Sequence, residues 1–210
     1  MKTKLLIIAG LLVFLASGCL IKSLHPFYTE KDLVFRKELP GNWLAQDSSL
    51  WNISQRMRFD GFLQPEKGDN AYNILMTDEK GTGSFIAHLF RLDGSLYLDF
   101  YPDEVQVSNS LASYHLIPAH TLAKVEVSAD EIVIRWYNEE WLLELFNQNK
   151  VRIPHERIPY DLDDQNPDNY QVILTASTEE LQKFLLKYGN DPNAMKTEDK
   201  EEYTFRLKRI

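Results

Sequence analysis

Phe85-Ile86-Ala87-His88-Leu89-Phe90-Arg91-Leu92-Asp93-Gly94-Ser95-Leu96-Tyr97-Leu98-Asp99-Phe100-Tyr101 decides the fold. Two runs of strand length flank Asp93-Gly94, and an Asp-Gly pair between such runs is a strong cue for a tight hairpin. Working outward, the same reading marks strands at residues 72–76, 114–117, 122–127 and 132–137. Before them, Trp51, Ile53, Met57 and Phe59 share one face, broken by Gln55, against Asn52, Ser54, Arg56, Arg58 and Asp60 on the other. That alternation predicts a half-buried strand with a solvated side. Gly68-Asp69-Asn70, Lys80-Gly81-Thr82-Gly83 and Ser128-Ala129-Asp130 supply turns between the runs, so the strands follow one another as an antiparallel meander. Pro118 cannot donate to a ladder, which bends, bulges or splits the segment 114–127.

Two helices interrupt the meander. Asn138 caps the first, over residues 138–148, where Trp141, Leu142, Leu145 and Phe146 form an apolar stripe. The second has a capping box in Ser177 and Glu180, a stripe of Leu181, Phe184, Leu185 and Tyr188, and Gly189 placed to end it. Between them residues 150–170 read as a Pro-rich, charged loop, followed by a strand at 171–176. Tyr203, Phe205 and Leu207 alternate with Thr204, Arg206 and Lys208 in a final strand. The fold class is mainly β, with two short helices. An open meander of eight or nine strands would leave bare edges and one uncovered apolar face, so residues 41–210 are expected to close as a barrel, with a sandwich as the alternative.

Gly41-Asn42-Trp43 at the first barrel strand resembles the Gly-x-Trp signature of lipocalins, and a helix followed by a last strand resembles their chain order. The resemblance implies a lipocalin-like, or calycin-like, barrel. The Thr-Asp-Tyr motif of that family is absent and the helix at 138–148 has no counterpart there, so no ligand chemistry is carried over.

The chain has 210 residues, 44% hydrophobic and 26% charged, with nine Gly, nine Pro and one Cys. These values exclude collagen-like, low-complexity and disulfide-scaffold chains. With 31 acidic against 23 basic residues and a formal charge of -8, the chain lacks the positive field that a phosphate backbone requires, so nucleic acid is not expected as a partner.

The amino terminus reads as an address. Lys2 and Lys4 precede an uncharged apolar stretch at 5–15, then Ala16, Ser17 and Gly18 stand directly before Cys19. At roughly 1.5 Å per residue that stretch spans about 16 Å, half the roughly 30 Å of a hydrocarbon core, so it is expected to be a removed signal, residues 1–18. Leu15-Ala16-Ser17-Gly18-Cys19 resembles the lipobox of bacterial lipoproteins, although Leu usually stands where Ala16 does. The resemblance implies cleavage between Gly18 and Cys19, diacylglycerol on the Cys19 sulfur and a fatty acyl chain such as palmitate on its new amino group, with no other cofactor. Leu20 in place of Asp implies, in a Gram-negative host, the inner leaflet of the outer membrane, facing the periplasm. Residues 19–40 form the lipidated tether. Leu24, Pro26, Phe27, Tyr28, Leu33, Val34 and Phe35 make it too apolar for a free linker, so it is expected to pack on the domain, with Thr29 capping a short turn through Asp32.

Candidate chemistry is sparse. His25, His88, His115, His120 and His155 show no metal-ligand spacing, and His115 and His120 lie five apart, on opposite faces of a strand unless a kink at Pro118 joins them. Asp161, Asp163, Asp164 and Asp168 invite comparison with a calcium loop, but Asn166 stands where Gly is required and Val172 where Glu is, which favours a solvated loop. No metal site is expected. No Gly-x-Ser-x-Gly elbow is present, Gly81-Thr82-Gly83 lacks the Lys of a phosphate loop, and Asp99 with Glu126 is one of many acidic pairs. No catalytic residue is expected; an enzyme would need His115, His120 or Asp99 to converge with another polar group in a cleft. Trp43, Trp51, Tyr72, Phe85 and Trp136 could instead line a cavity for an apolar ligand, or simply fill the barrel. The expected function is that of a non-enzymatic, lipid-anchored envelope lipoprotein binding a small apolar molecule or lipid. The alternative is a structural or interaction lipoprotein with a filled core that engages another envelope protein.

Overall fold

A computed structural model of the chain describes residues 20–57, 70–105, 109–160, 166, 169–197 and 201–210. The signal, Gly18 and Cys19 lie outside the described residues, as do Arg58, Phe59, Asp60, Gly68, Asp69 and the acidic quartet Asp161, Asp163, Asp164 and Asp168. In chain order the elements are β1 (Lys22–Ser23), a 3-10 turn (Glu30–Asp32), β2 (Gly41–Ala45), β3 (Leu50–Gln55), β4 (Ala71–Asp78), β5 (Gly81–Leu92), β6 (Ser95–Glu104) and α1 (Ser110–Ser113). There follow β7 (His120–Val127), β8 (Glu131–Trp136), α2 (Glu139–Asn147), β9 (His155–Pro159), β10 (Tyr170–Leu174), α3 (Thr178–Tyr188) and β11 (Thr204–Arg209).

The meander closes. Strands β2 to β8 pair in sequence, and β11 lies between β8 and β2, giving a lipocalin-like barrel of eight antiparallel strands. The barrel, not the sandwich, removes the edges that an open sheet would expose. Asp93 and Gly94 adopt φ of 47° and 76°, the two positive angles that let β5 turn directly into β6. Inward positions are apolar along every barrel strand, the reverse of an outer-membrane pore, whose lumen is polar.

The wall has two kinds of strand. On β2 and β3 the outward residues Asn42, Asn52 and Ser54 meet solvent, whereas the outward residues Phe90 on β5, Tyr97 on β6 and Leu122 on β7 are buried, as is Tyr137 directly after β8. Ala87 and Leu89 point into the barrel while Phe90 points out, as do Leu98 and Tyr97, and Ala123 and Leu122. The outward set packs against α2, α3 and a small side sheet. In that sheet β1 pairs antiparallel with the start of β7, Ser23 opposite His120, and parallel with β10, which in turn pairs with β9.

The segment after β1 crosses the outside of the barrel and closes one end. Asp32 accepts from the Thr29 N–H at 3.2 Å, fixing the short turn, and Val34 N–H donates to Leu89 O at 2.9 Å before Leu39 enters the core. There Arg209 lies over the Trp43 ring, 4.0 Å from its centroid, and its guanidinium donates to Ala129 O at 2.6 Å, Pro40 O at 3.1 Å and Glu38 O. Gly41 makes this possible: its φ is +148°, and a Cβ there would stand 2.2 Å from the Arg209 guanidinium.

Three sequence expectations are corrected. Residues 114–117 are not a strand, because the Asn109 side chain caps Leu111 and Ala112 N–H at 2.9 and 3.1 Å, starting α1, a third short helix, and carrying the chain into a turn. Residues 150–170 are not all loop: 155–159 form β9, an edge strand, and Pro159 is tolerated at its end. The turn at 80–83 is shorter, since Gly81, Thr82 and Gly83 already pair with Asp78, Thr77 and Met76. Gly189 ends α3 as read from the sequence, with φ of -64°, and supplies room there, since a Cβ would meet Leu185 O at 2.6 Å. The two long helices carry the caps read from sequence, Asn138 accepting from Glu140 N–H at 2.9 Å and Ser177 sharing reciprocal bonds with Glu180.

Candidate functional site

Three places hold residues able to recognise or react: the barrel interior, a buried Asp-His pair on its wall, and an apolar loop at its rim.

The meander's period places Trp43, Trp51, Tyr72, Phe85 and Trp136 inside the barrel, in one cluster. Their polar atoms are held locally. Trp43 Nε1 donates to Leu39 O at 2.9 Å, Trp51 Nε1 to Ser49 Oγ at 3.0 Å, and the Tyr72 hydroxyl accepts from Arg36 N–H at 2.7 Å while donating to Arg36 O at 3.2 Å. Burial pushes the Tyr72 phenol up to about 12. Phe100 meets Trp136 at 4.8 Å between centroids, Phe85 at 6.2 Å and Trp51 at 6.4 Å, the latter two edge-on, and Trp51 meets Phe205 at 6.2 Å. Rings from β3, β5, β6, β8 and β11 therefore touch one another inside the barrel.

Asp99 points outward from β6 yet is fully buried. One oxygen lies 2.7 Å from His120 Nδ1 on β7, and the other accepts from Phe27 N–H at 2.8 Å. Loss of hydration raises the Asp99 pKa, with the His120 hydrogen bond and charge and the Phe27 N–H pulling it back. The Tyr101 ring packs against His120 at 4.7 Å. A carboxylate on Nδ1 is the arrangement that orients an imidazole for proton transfer, and Ser23 stands opposite His120 across β1 and β7. The Ser23 hydroxyl, however, donates to Leu174 O at 3.4 Å and accepts from His25 N–H at 3.1 Å. The cluster thus clamps the amino-terminal segment to the wall. Glu139 does the same nearby: buried at the start of α2, it accepts from Val172 N–H on β10 and lies 3.4 Å from Lys22 Nζ on β1.

The remaining candidates separate. Glu126 binds Arg135 at 2.7 Å and lies four residues along β7 from the partner of Asp99, so the two carboxylates do not pair. His115 sits on the turn after α1 and is exposed, while His120 is held by Asp99. His155 Nδ1 lies 2.8 Å from Ile153 O and its ring stacks on Phe146, and His88 stacks on Tyr28. Among the described residues no cluster of three or more His, Cys, Asp and Glu could hold a metal ion.

Sequence reasoning missed the third place. Leu111, Tyr114, Leu116 and Ile117 are exposed beside a cleft of about 450 Å³ between the end of β6 and the chain entering β7. The signal was available: no Asp, Glu, Lys or Arg stands between Glu104 and Lys124.

No family model, curated protein or solved structure matches this chain.

Proposed function

We propose that this protein is a non-enzymatic lipoprotein of the bacterial cell envelope, held by acyl chains on Cys19, whose barrel is a filled body that engages another envelope protein through its surface. In a Gram-negative host it sits on the outer membrane and faces the periplasm. The anchoring half rests on the lipobox-like run Leu15-Ala16-Ser17-Gly18-Cys19 behind a basic, apolar leader. The observation that carries the rest is the aromatic cross-packing of the lumen: Phe100 touches Trp51, Phe85 and Trp136 where a ligand would lie. Commitment of both Asp99 oxygens and of the Ser23 hydroxyl to partners within the fold favours a non-enzymatic role.

A second reading, carriage of a small apolar molecule or lipid, draws on the same aromatic lining. Native mass spectrometry of protein purified from its own host separates the two. Mass for an acylated Cys19 with no further cargo is expected. A co-purifying apolar molecule lost on unfolding would replace the filled-body reading with the carrier, and an uncleaved leader with a bare thiol would overturn the anchor.

A further inference from the structure

We infer that the apolar loop at residues 109–119 docks on the lipid bilayer, dipping Leu111, Tyr114 and Ile117 into the leaflet that carries the protein. This rests on the lipid-anchored reading above.

Exposure and charge come first. Leu111, Tyr114 and Ile117 are 68%, 84% and 77% exposed, with Leu116 beside them, far more than isolated surface leucines need. The stretch is free of formal charge although 26% of the chain is charged. An acidic protein that must approach anionic lipid has to do so with neutral surface, since each carboxylate brought to the interface is repelled and desolvated. A tyrosine among aliphatic side chains suits the boundary between headgroups and acyl chains, where an apolar ring is buried and its hydroxyl stays wet.

Position argues for the bilayer over a protein partner. The described chain begins at Leu20, one residue after the acylated position, and is committed at once: Ile21 is buried, its N–H donates to Tyr137 O at 3.1 Å, and Lys22 and Ser23 enter the side sheet. No slack chain separates the acyl group from the domain, so the domain must lie against the membrane. Ser23 pairs with His120, the first residue after the loop, and the four residue steps that lead back to position 19 can span at most about 13 Å at roughly 3.3 Å each. Acyl chains and loop can therefore reach one leaflet together. Another exposed apolar group, Leu44, Leu50 and Leu75 on the outer wall of β2 to β4, is interspersed with Asn42, Asn52 and Thr77 and lacks a neutral run of that length.

The test uses the full chain, produced in a lipoprotein-processing host and reconstituted in phosphatidylcholine vesicles containing nitroxide-labelled lipid. Ile117→Cys carries a fluorescent label, and Asp93→Cys, exposed in the turn at the other end of β6, is the control. Quenching at 117 by about twofold or more is expected, with none at 93, because interfacial side chains enter about 5–10 Å below the headgroup boundary. Equal quenching at both sites overturns the proposal. So does a label at 117 shielded from iodide in water yet untouched by the nitroxide lipid, which would indicate a protein or a second copy as the occupant. Thiol labelling of the unsubstituted chain from the same host reads the underlying anchor separately: a reactive Cys19 overturns the lipoprotein reading, whereas an unreactive Cys19 with no quenching at 117 in the Ile117→Cys variant overturns docking alone.

Discussion

The barrel interior and the core outside it are built from the same strands, yet they are held in different ways. Inside, Trp43, Trp51, Tyr72, Leu89, Phe100 and Trp136 come from a meander whose neighbours in sequence are neighbours in space, so most pairs join consecutive strands and only the pairing of β11 with β2 and β8 closes over a long range. Outside, Phe90, Tyr97, Leu122 and Tyr137 must wait for Ile21, Phe27, Leu142, Val172, Leu181 and Phe184, drawn from both ends of the chain. What differs is the cost of assembly: long-range closure is dearer than hairpin closure, and the outer core contains most of it. Sharing β5 to β7 couples the two, because removing the outer core uncovers Phe90, Tyr97 and Leu122 on strands whose other face lines the barrel.

The sharpest way to break that coupling is to truncate one core at a time. Trp43→Ala should cost about 3–5 kcal/mol, since it removes a fully buried ring together with the Arg209 contact above it. Leu181→Ala, in the outer core, should cost about 2–5 kcal/mol. In urea, both variants are expected to lower the midpoint while tryptophan fluorescence and far-ultraviolet circular dichroism still fall together. Separate transitions in the Leu181 variant would mean that the outer core melts alone and the shared strands do not bind the two.

Backbone and polar changes should follow at smaller size. Gly41→Ala forces a Cβ against Arg209 at a positive φ and should cost about 1–3 kcal/mol, read as a fall in melting temperature. Asp99→Ala should cost about 1–3 kcal/mol by leaving His120 and Phe27 N–H without their acceptor, and Asp99→Asn less. The pH dependence gives the sharper reading. The folded state holds the Asp99 proton more tightly than the unfolded chain does, so this group's contribution is complete below the ordinary carboxylate value of 3.8 and is lost as pH rises through the raised folded value. Stability of Asp99→Asn measured across that range should accordingly fall less steeply than that of the parent; an unchanged slope would remove Asp99 as the cause. Tyr72→Phe should cost least, about 1 kcal/mol. The parent should lose Tyr72's contribution between pH 10, where an unfolded tyrosine ionises, and about 12, where the buried one does, and the variant should not.

Much of the barrel was legible because its strands obey one rule. Asp93-Gly94 demanded a two-residue turn, and the inward residues of β3, β4 and β8 followed from alternation. The outer core was harder to read. Phe90 and Tyr97 look like faults in an alternating pattern until helices are laid over them, and nothing local to residues 155–159 announces a strand whose only reason to exist is pairing with β10. Tyr114 and Leu116 mimicked the strand period by chance, while an asparagine five residues earlier fixed a helical turn. The union of Asp99 with His120 was illegible for a simple reason: register, not spacing, sets the two side chains together, and Asp99 is opposite Leu122, two residues from His120.

Strand β1, two residues long, lies between β7 and β10 instead of at an edge. A tug on the amino terminus, as when a membrane-held molecule is dragged by its surroundings, therefore acts along hydrogen bonds on both flanks at once and shears them together, where an edge strand would unzip one bond at a time. The place where the chain would be tied is also the place where it best withstands mechanical load.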